Sequence, residues 1–239
     1  IASLMKKFKA FIAFDSRTNS ENIKIIKKLS PYVYGFKVGY SAYYNKDSEK
    51  LLYEIKKRKS KLFLDLKLHD IPNTVSNAIK SLSKDNPDYL TVHISGGKSM
   101  LEQALKTINK KKLKTKLLGV TLLTSLDNKD SKIIYSDKNA NSVVKKLANI
   151  ANSSKIFGII CSGKDLKDLM RFKNLLKITP GVKMFKRKDD QKRIAYVHDA
   201  INDGADYVVI GRELINKKDP IALLKKYYEE NQNQNLWTN

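Results

Sequence analysis

The sequence predicts a (β/α)8 TIM barrel built as a single domain, and three observations carry that expectation. Short apolar, β-branched or aromatic runs recur eight times along the 239 residues. Charged, helix-favouring stretches lie between them, with apolar residues at three- and four-residue spacing. The length is also close to the minimum for eight βα units, which leaves little for a second domain. Strand and helix in strict alternation mean parallel strands joined by crossover helices. An open, doubly wound sheet is the alternative arrangement of the same elements.

Taken in order, the strand-forming runs are residues 10–14, 34–38, 62–66, 89–93, 117–121, 156–161, 175–179 and 207–210. Several are apolar almost throughout, as parallel strands covered on both faces require. Helical periodicity is clearest at 22–29 (Ile23, Ile25, Ile26, Leu29) and at 142–151 (Val143, Val144, Leu147, Ile150, Ala151). No linker or low-complexity segment divides the chain. The barrel is assigned to residues 1–230, and 231–239 reads as a loose polar tail.

In this fold, active sites collect at the C-terminal ends of the strands. Polar residues do gather there. The first run ends in Asp15, and the second carries Lys37 before Gly39. The third leads into Asp65-Leu66-Lys67-Leu68-His69-Asp70. The fourth ends in His93, and the fifth in Thr121 with Thr124 and Ser125 beyond. The seventh ends in Thr179-Pro180-Gly181 and the eighth in Gly211-Arg212.

The third run is the most informative. Side chains alternate along a strand, so Phe63, Asp65 and Lys67 share one face while Leu62, Leu64, Leu66 and Leu68 share the other. The leucines suit the helix layer, which turns Asp65 and Lys67 into the barrel mouth with Asp70 just beyond. Burying charge is costly unless it is paired. A structural ion pair plugging the barrel is one explanation. The other is an array in which carboxylates keep a lysine protonated, ready to deliver a proton to a carbanion. At the far side of the order, Gly211-Arg212 has the tight backbone and forked cation of a phosphate cradle. The charged segment 182–191 suits a loop closing over such a site.

Composition bounds the rest. Lys and Arg number 47 against 24 Asp and Glu, a net charge of +23, which raises the question of nucleic acid. The excess is lysine spread over the whole length, 41 against 6 arginines. Nucleic-acid readers lean on forked arginine contacts and aromatic stacking. We therefore expect solvated helix faces, with neither nucleic acid nor membrane as a partner. No run approaches the ~20 apolar residues of a spanning helix, and the N-terminal residues lack the apolar stretch of a signal peptide. The one cysteine, Cys161, forms no intramolecular disulfide and no cysteine zinc cluster, which fits a cytoplasmic protein. His93 and His69 are expected to be structural, the first within the core and the second in the loop.

The run Leu64-Asp65-Leu66-Lys67-Leu68-His69-Asp70-Ile71-Pro72-Asn73-Thr74 matches the pattern D-x-K-x-x-D-I-P-N-T without a mismatch. Shorter matches flank it in order: Ala13-Phe14-Asp15, Phe36-Lys37-Val38-Gly39, Thr91-Val92-His93 with Gly96-Gly97, Leu123-Thr124-Ser125, Thr179-Pro180-Gly181-Val182, Asp190-Gln191 and Ile210-Gly211-Arg212. From about residue 10 to 220 the sequence resembles the orotidine 5′-phosphate decarboxylase family. The resemblance implies cofactor-free and metal-free decarboxylation of orotidine 5′-monophosphate to UMP. It implies Lys67 as the proton donor to C6 and Asp65 beside the departing carboxylate. Lys37 completes the array with Asp70, which comes from the second subunit of a homodimer. Thr74 crosses the same interface to the ribose, and Asp15 and Lys37 hold ribose hydroxyls. Thr124 binds the pyrimidine edge, less directly joined by Ser125, and Pro180 lies against the base. Gln191, Gly211 and Arg212 bind phosphate. Where the family's bacterial pattern T-P-G-I-R has a phosphate-contacting arginine, this chain has Lys183, which supplies the charge without the fork.

Two other functions fit parts of the sequence. Magnesium-dependent phosphosugar enzymes of the same superfamily share D-x-K-x-x-D. They lack the I-P-N-T continuation and need an acidic ligand where this chain reads Lys37-Val38-Gly39-Tyr40. A basic, non-catalytic binding module would explain the charge but has no need of buried Asp65, Lys67 and Asp70.

Overall fold

The structure is a computed structural model, and it describes residues 7–14, 18–185, 195–231 and 236–237. Eight strands close into a barrel in chain order: β1 (Phe8–Phe14), β2 (Val33–Val38), β3 (Lys61–Leu68), β4 (Tyr89–His93), β5 (Lys116–Val120), β6 (Gly158–Ile160), β7 (Leu176–Pro180) and β8 (Tyr207–Ile210). Their recorded pairings are parallel. Helices follow the strands, among them Asn19–Leu29 after β1, Ser48–Lys57 after β2, Pro72–Leu82 after β3, Lys98–Lys110 after β4 and Ala140–Ser153 after β5. The (β/α)8 expectation therefore holds. Among the described residues no helix is long and apolar enough to cross a membrane.

The chain packs as two compact units. The first is Ile1–Asp65 with Pro180–Asn202 and Asp206–Asn239, and the second is Leu66–Thr179 with Asp203–Ala205.

In the first unit β1 is buried along nearly its whole length, because its side chains are apolar on both faces. Phe11 meets Phe63 edge-on at 5.1 Å, and Tyr34 stacks on Tyr207 at 4.3 Å, so aromatic rings fill the layer between β1, β2, β3 and β8. Rings in these arrangements add about 0.5–1.5 kcal/mol to their area burial. Gly35 permits the close approach of β2 to β3, since a Cβ there would stand 2.3 Å from the Lys61 carbonyl oxygen. The helix Asn19–Leu29 starts at a capping box. The Thr18 hydroxyl accepts from the Glu21 amide, and the Glu21 carboxylate accepts from the Thr18 amide. It buries Asn22, Ile25, Ile26 and Leu29 on one face and ends with Lys27 and Lys28 against its negative pole.

Within the segment that the sequence suggested to be a loose tail, Leu236 and Trp237 are buried. The Lys9 amide donates to the Leu236 carbonyl at 2.9 Å, and Trp237 packs on Phe8 at 5.0 Å and on Tyr228 at 4.7 Å. Two apolar residues in a polar stretch are thus enough to anchor its end to β1.

In the second unit β4, β5 and β6 are joined in register, Thr91 opposite Leu118 and Val120 opposite Ile160. The helix Pro72–Leu82 buries Val75, Ser76, Ile79 and Leu82 at helical spacing, and Pro72 occupies a first-turn position where an amide would lack a partner. Its Ser76 hydroxyl lies 2.7 Å from the Thr107 hydroxyl of Lys98–Lys110, which joins two buried polar groups between neighbouring helices. β3 runs further than the apolar run suggests, to Leu68. β6 is shorter than 156–161, because the Ile156 amide closes the end of the preceding helix on Ala151.

Candidate active site

In the first unit, β2 and β3 bring together two of the charges singled out from sequence. Lys37 stands opposite Phe63 in the β2–β3 register, one strand across from Asp65. Its Nζ donates to Asp65 Oδ2 at 2.8 Å, with the two side chains only 11% and 10% exposed. A pair this short and this buried has lost most of its hydration. Its mutual attraction then offsets a desolvation cost of several kcal/mol per ion. Tyr40, which follows Gly39 at the end of β2, feels the same charge. Burial, then the Asp65 carboxylate, then Tyr44 hold its phenol above the usual tyrosine pKa. Asp15 lies outside the described residues.

The second unit holds the rest of the signature. Lys67 has a left-handed backbone, φ +42°, inside a strand. Such a conformation costs a residue with a Cβ about 1–2 kcal/mol and persists only where its surroundings hold it. Thr91 on β4 helps to hold it. Its buried hydroxyl accepts the Lys67 amide at 2.9 Å. The left-handed turn interrupts the plain alternation expected of the strand, so the direction of the Lys67 side chain is set by this local bond as well as by parity. Lys67 is half-buried, and the chain emerges immediately beyond it. His69, Asp70, Asn73 and Thr74 are exposed, and Ile71 is 67% exposed. The Asp70 carboxylate accepts the Ile71 amide at 2.7 Å, which orients it at the foot of the helix Pro72–Leu82. His93 is half-buried with its ring 5.2 Å from that of His69. Thr124 and Ser125 sit on the exposed loop after β5.

Back in the first unit, the segment after β7 is fastened at its root. The Lys183 amide donates to the Ala195 carbonyl at 3.0 Å, and the Val197 amide donates to the Lys183 carbonyl at 2.9 Å. Gly181 takes φ +73°, a turn that glycine makes without strain. Pro180 is half-buried at the end of β7, and Gly211 and the exposed Arg212 follow β8. Gln191 and most of the segment 182–191 lie outside the described residues. Among the described residues no group of three or more His, Cys, Asp or Glu side chains is placed to hold a metal ion.

Thr91 was visible in the sequence only as part of a Thr-Val-His run. Its hydroxyl faces Lys67 because of how β4 lies beside β3, which no local pattern encodes.

Comparison with known proteins agrees with the barrel fold. The family model described as Orotidine 5'-phosphate decarboxylase / HUMPS family matches residues 9–227. An orotidine 5'-phosphate decarboxylase of a Wolbachia from Brugia malayi is 38% identical over 210 residues, spanning 87% of this chain and 92% of its own length. That of Fusobacterium nucleatum is 35% identical over 235 residues, 94% of this chain and 97% of its own. The crystal structure of orotidine 5'-phosphate decarboxylase from Lactobacillus acidophilus superposes with a TM-score of 0.76 at 29% identity, covering 94% of this chain and 99% of that one. With its eight-stranded barrel, its intact signature and a match over nearly its full length, the chain belongs to the orotidine 5'-phosphate decarboxylase / HUMPS family.

Proposed function

We infer that this chain is an enzyme that decarboxylates orotidine 5′-monophosphate to UMP and carbon dioxide, the last step of pyrimidine nucleotide synthesis, using no metal or organic cofactor. The observation that carries it is the signature strand itself. Asp65 is locked to Lys37 at 2.8 Å, and two residues on Lys67 is held in left-handed backbone by Thr91.

Loss of carbon dioxide from C6 leaves negative charge on that carbon, and the protein must meet it with charge already in place. Lys67 is the donor that delivers a proton to C6 as the carboxylate departs. An ammonium preorganised between Asp65 and Asp70 gains as negative charge moves toward C6, so the stabilisation is greatest in the transition state. Asp65 lies beside the departing carboxylate, and Lys37, paired with Asp65, contacts the ribose together with Asp15. Thr124 and Pro180 bind the base. Arg212, Gly211, Gln191 and Lys183 hold the phosphate, whose remote binding energy closes the site.

The enzyme acts as a cytoplasmic homodimer, with Asp70 and Thr74 of the partner subunit completing each site. Supporting this, Asp70 and Thr74 are exposed on their own subunit, beside an Ile71 that leaves most of its apolar surface uncovered. The magnesium-dependent phosphosugar reaction fits less well. The end of β2, where that chemistry needs a carboxylate, presents Lys37 with its ammonium on Asp65. The test is the fall in orotidine monophosphate absorbance with purified protein in excess EDTA. Sustained turnover supports the proposal, and activity that disappears with EDTA and returns with magnesium refutes it.

A further inference from the structure

The root of the loop after β7 is tied to the helix after β8 by a side chain to which the mechanism above gives no task. The Met184 amide donates to Glu213 Oε2 at 2.7 Å, across 29 residues of sequence. Glu213 directly follows Arg212 in the short helix Arg212–Ile215. Met184 directly follows Lys183, whose own amide and carbonyl are clamped to Ala195 and Val197. Met184 is buried, and the next residue, Phe185, packs edge-on against Tyr227 at 5.3 Å. All these groups belong to the first unit.

We propose that Glu213 is a positioning residue for phosphate recognition, holding Lys183 and the loop root in register with Arg212. This rests on the assignment of Arg212 and Lys183 to the substrate phosphate. A cation in the loop and a cation on the helix grip one phosphate well only if their separation is fixed before the ligand arrives. The strands alone do not fix it, because Lys183 and Arg212 both lie beyond the strand ends. A bond of 2.7 Å from an amide to a carboxylate is charge-assisted and stronger than a neutral one. It joins the residue after the loop cation to the residue after the helix cation, so neither can shift without stretching it. The carboxylate's charge is itself unfavourable close to a phosphate. What the site needs from Glu213 is therefore its reach and its acceptor oxygen. A glutamine supplies both, and an aspartate, one methylene shorter, supplies the charge without the reach.

The experiment compares wild type with Glu213→Gln, Glu213→Asp and Glu213→Ala, using orotidine monophosphate and phosphate-free orotidine as substrates. Glu213→Ala and Glu213→Asp should raise KM for the monophosphate about tenfold, as expected for losing one hydrogen bond to a charged group. Turnover number should stay within about twofold. Glu213→Gln should keep KM within about twofold of wild type, and kcat/KM for orotidine should be unchanged in all three. An unchanged KM in Glu213→Ala overturns the proposal, as does an orotidine kcat/KM that falls as far as that for the monophosphate. Should Glu213→Ala fail to fold, the contrast between Glu213→Asp and Glu213→Gln decides alone, and equal KM values for those two overturn it. A wild-type protein inactive on the monophosphate would instead overturn the assigned reaction, which keeps the two failures apart.

Discussion

Thr91→Val is the sharpest perturbation of the site that leaves every charged residue in place. Valine keeps the shape and removes the oxygen that accepts the Lys67 amide at 2.9 Å. Two quantities of similar size then compete. Left-handed backbone costs a lysine about 1–2 kcal/mol. The bond that opposes it is worth about 1 kcal/mol net, and losing it beside a fully buried residue costs up to about 1–3 kcal/mol. Removing the acceptor therefore takes away roughly what holds Lys67 at φ +42°. A shift of about 1.5–2 kcal/mol lowers the population of the held conformation some 10- to 30-fold. The turnover number should fall by about the same factor if, as proposed, Lys67 delivers its proton to C6 from that conformation. KM should move less than about threefold, since Thr91 is assigned no contact with substrate. Thr91→Ser keeps the oxygen and should recover most of the rate. Steady-state decarboxylation, followed by absorbance beside a thermal unfolding curve for each variant, separates a loss of rate from a loss of fold. A Thr91→Val enzyme with kcat within twofold of wild type would show that the left-handed turn at Lys67 is not held by this bond.

Other outcomes follow from the same structure. Lys37→Met removes the ammonium that faces the buried Asp65 carboxylate and should destabilise the fold by about 3–5 kcal/mol in urea unfolding. Adding Asp65→Asn should return most of that loss, and no recovery would mean the pair is not the source. Trp237→Ala should cost about 3–5 kcal/mol, because it uncovers Phe8 and Tyr228. A neutral result would show that the end of the chain does not hold β1. Mixing Lys67→Ala with Asp70→Asn protomers, each inactive alone, should restore about a quarter of wild-type activity through heterodimers with one intact site. No recovery after subunit exchange would place Asp70 in its own subunit's site.

The barrel was legible because its strands are apolar on both faces and its helices are not, a contrast that survives in composition alone. The runs at 89–93 and 207–210 coincide with β4 and β8. The charged residues were legible too, since Asp65, Lys67 and Lys37 interrupt runs that should otherwise be apolar. What the sequence did not show is how those charges are held. Lysine has no left-handed signature, so φ +42° at Lys67 leaves no trace in the letters around it. The Lys67–Thr91 bond depends on two strands 24 residues apart, and the Met184–Glu213 bond on two segments 29 residues apart. Trp237 was hidden by its polar neighbours. The net charge of +23, the first feature to suggest a nucleic-acid partner, comes from lysines spread over the whole length of the sequence.

The most direct test of the central claim is the turnover of orotidine 5′-monophosphate by wild type and by Lys67→Ala, both shown to be folded. The expected result is decarboxylation by wild type and a loss of at least about 10³-fold in kcat for Lys67→Ala, as removal of the only proton donor assigned to C6 requires. Near-normal turnover by Lys67→Ala would contradict the assignment.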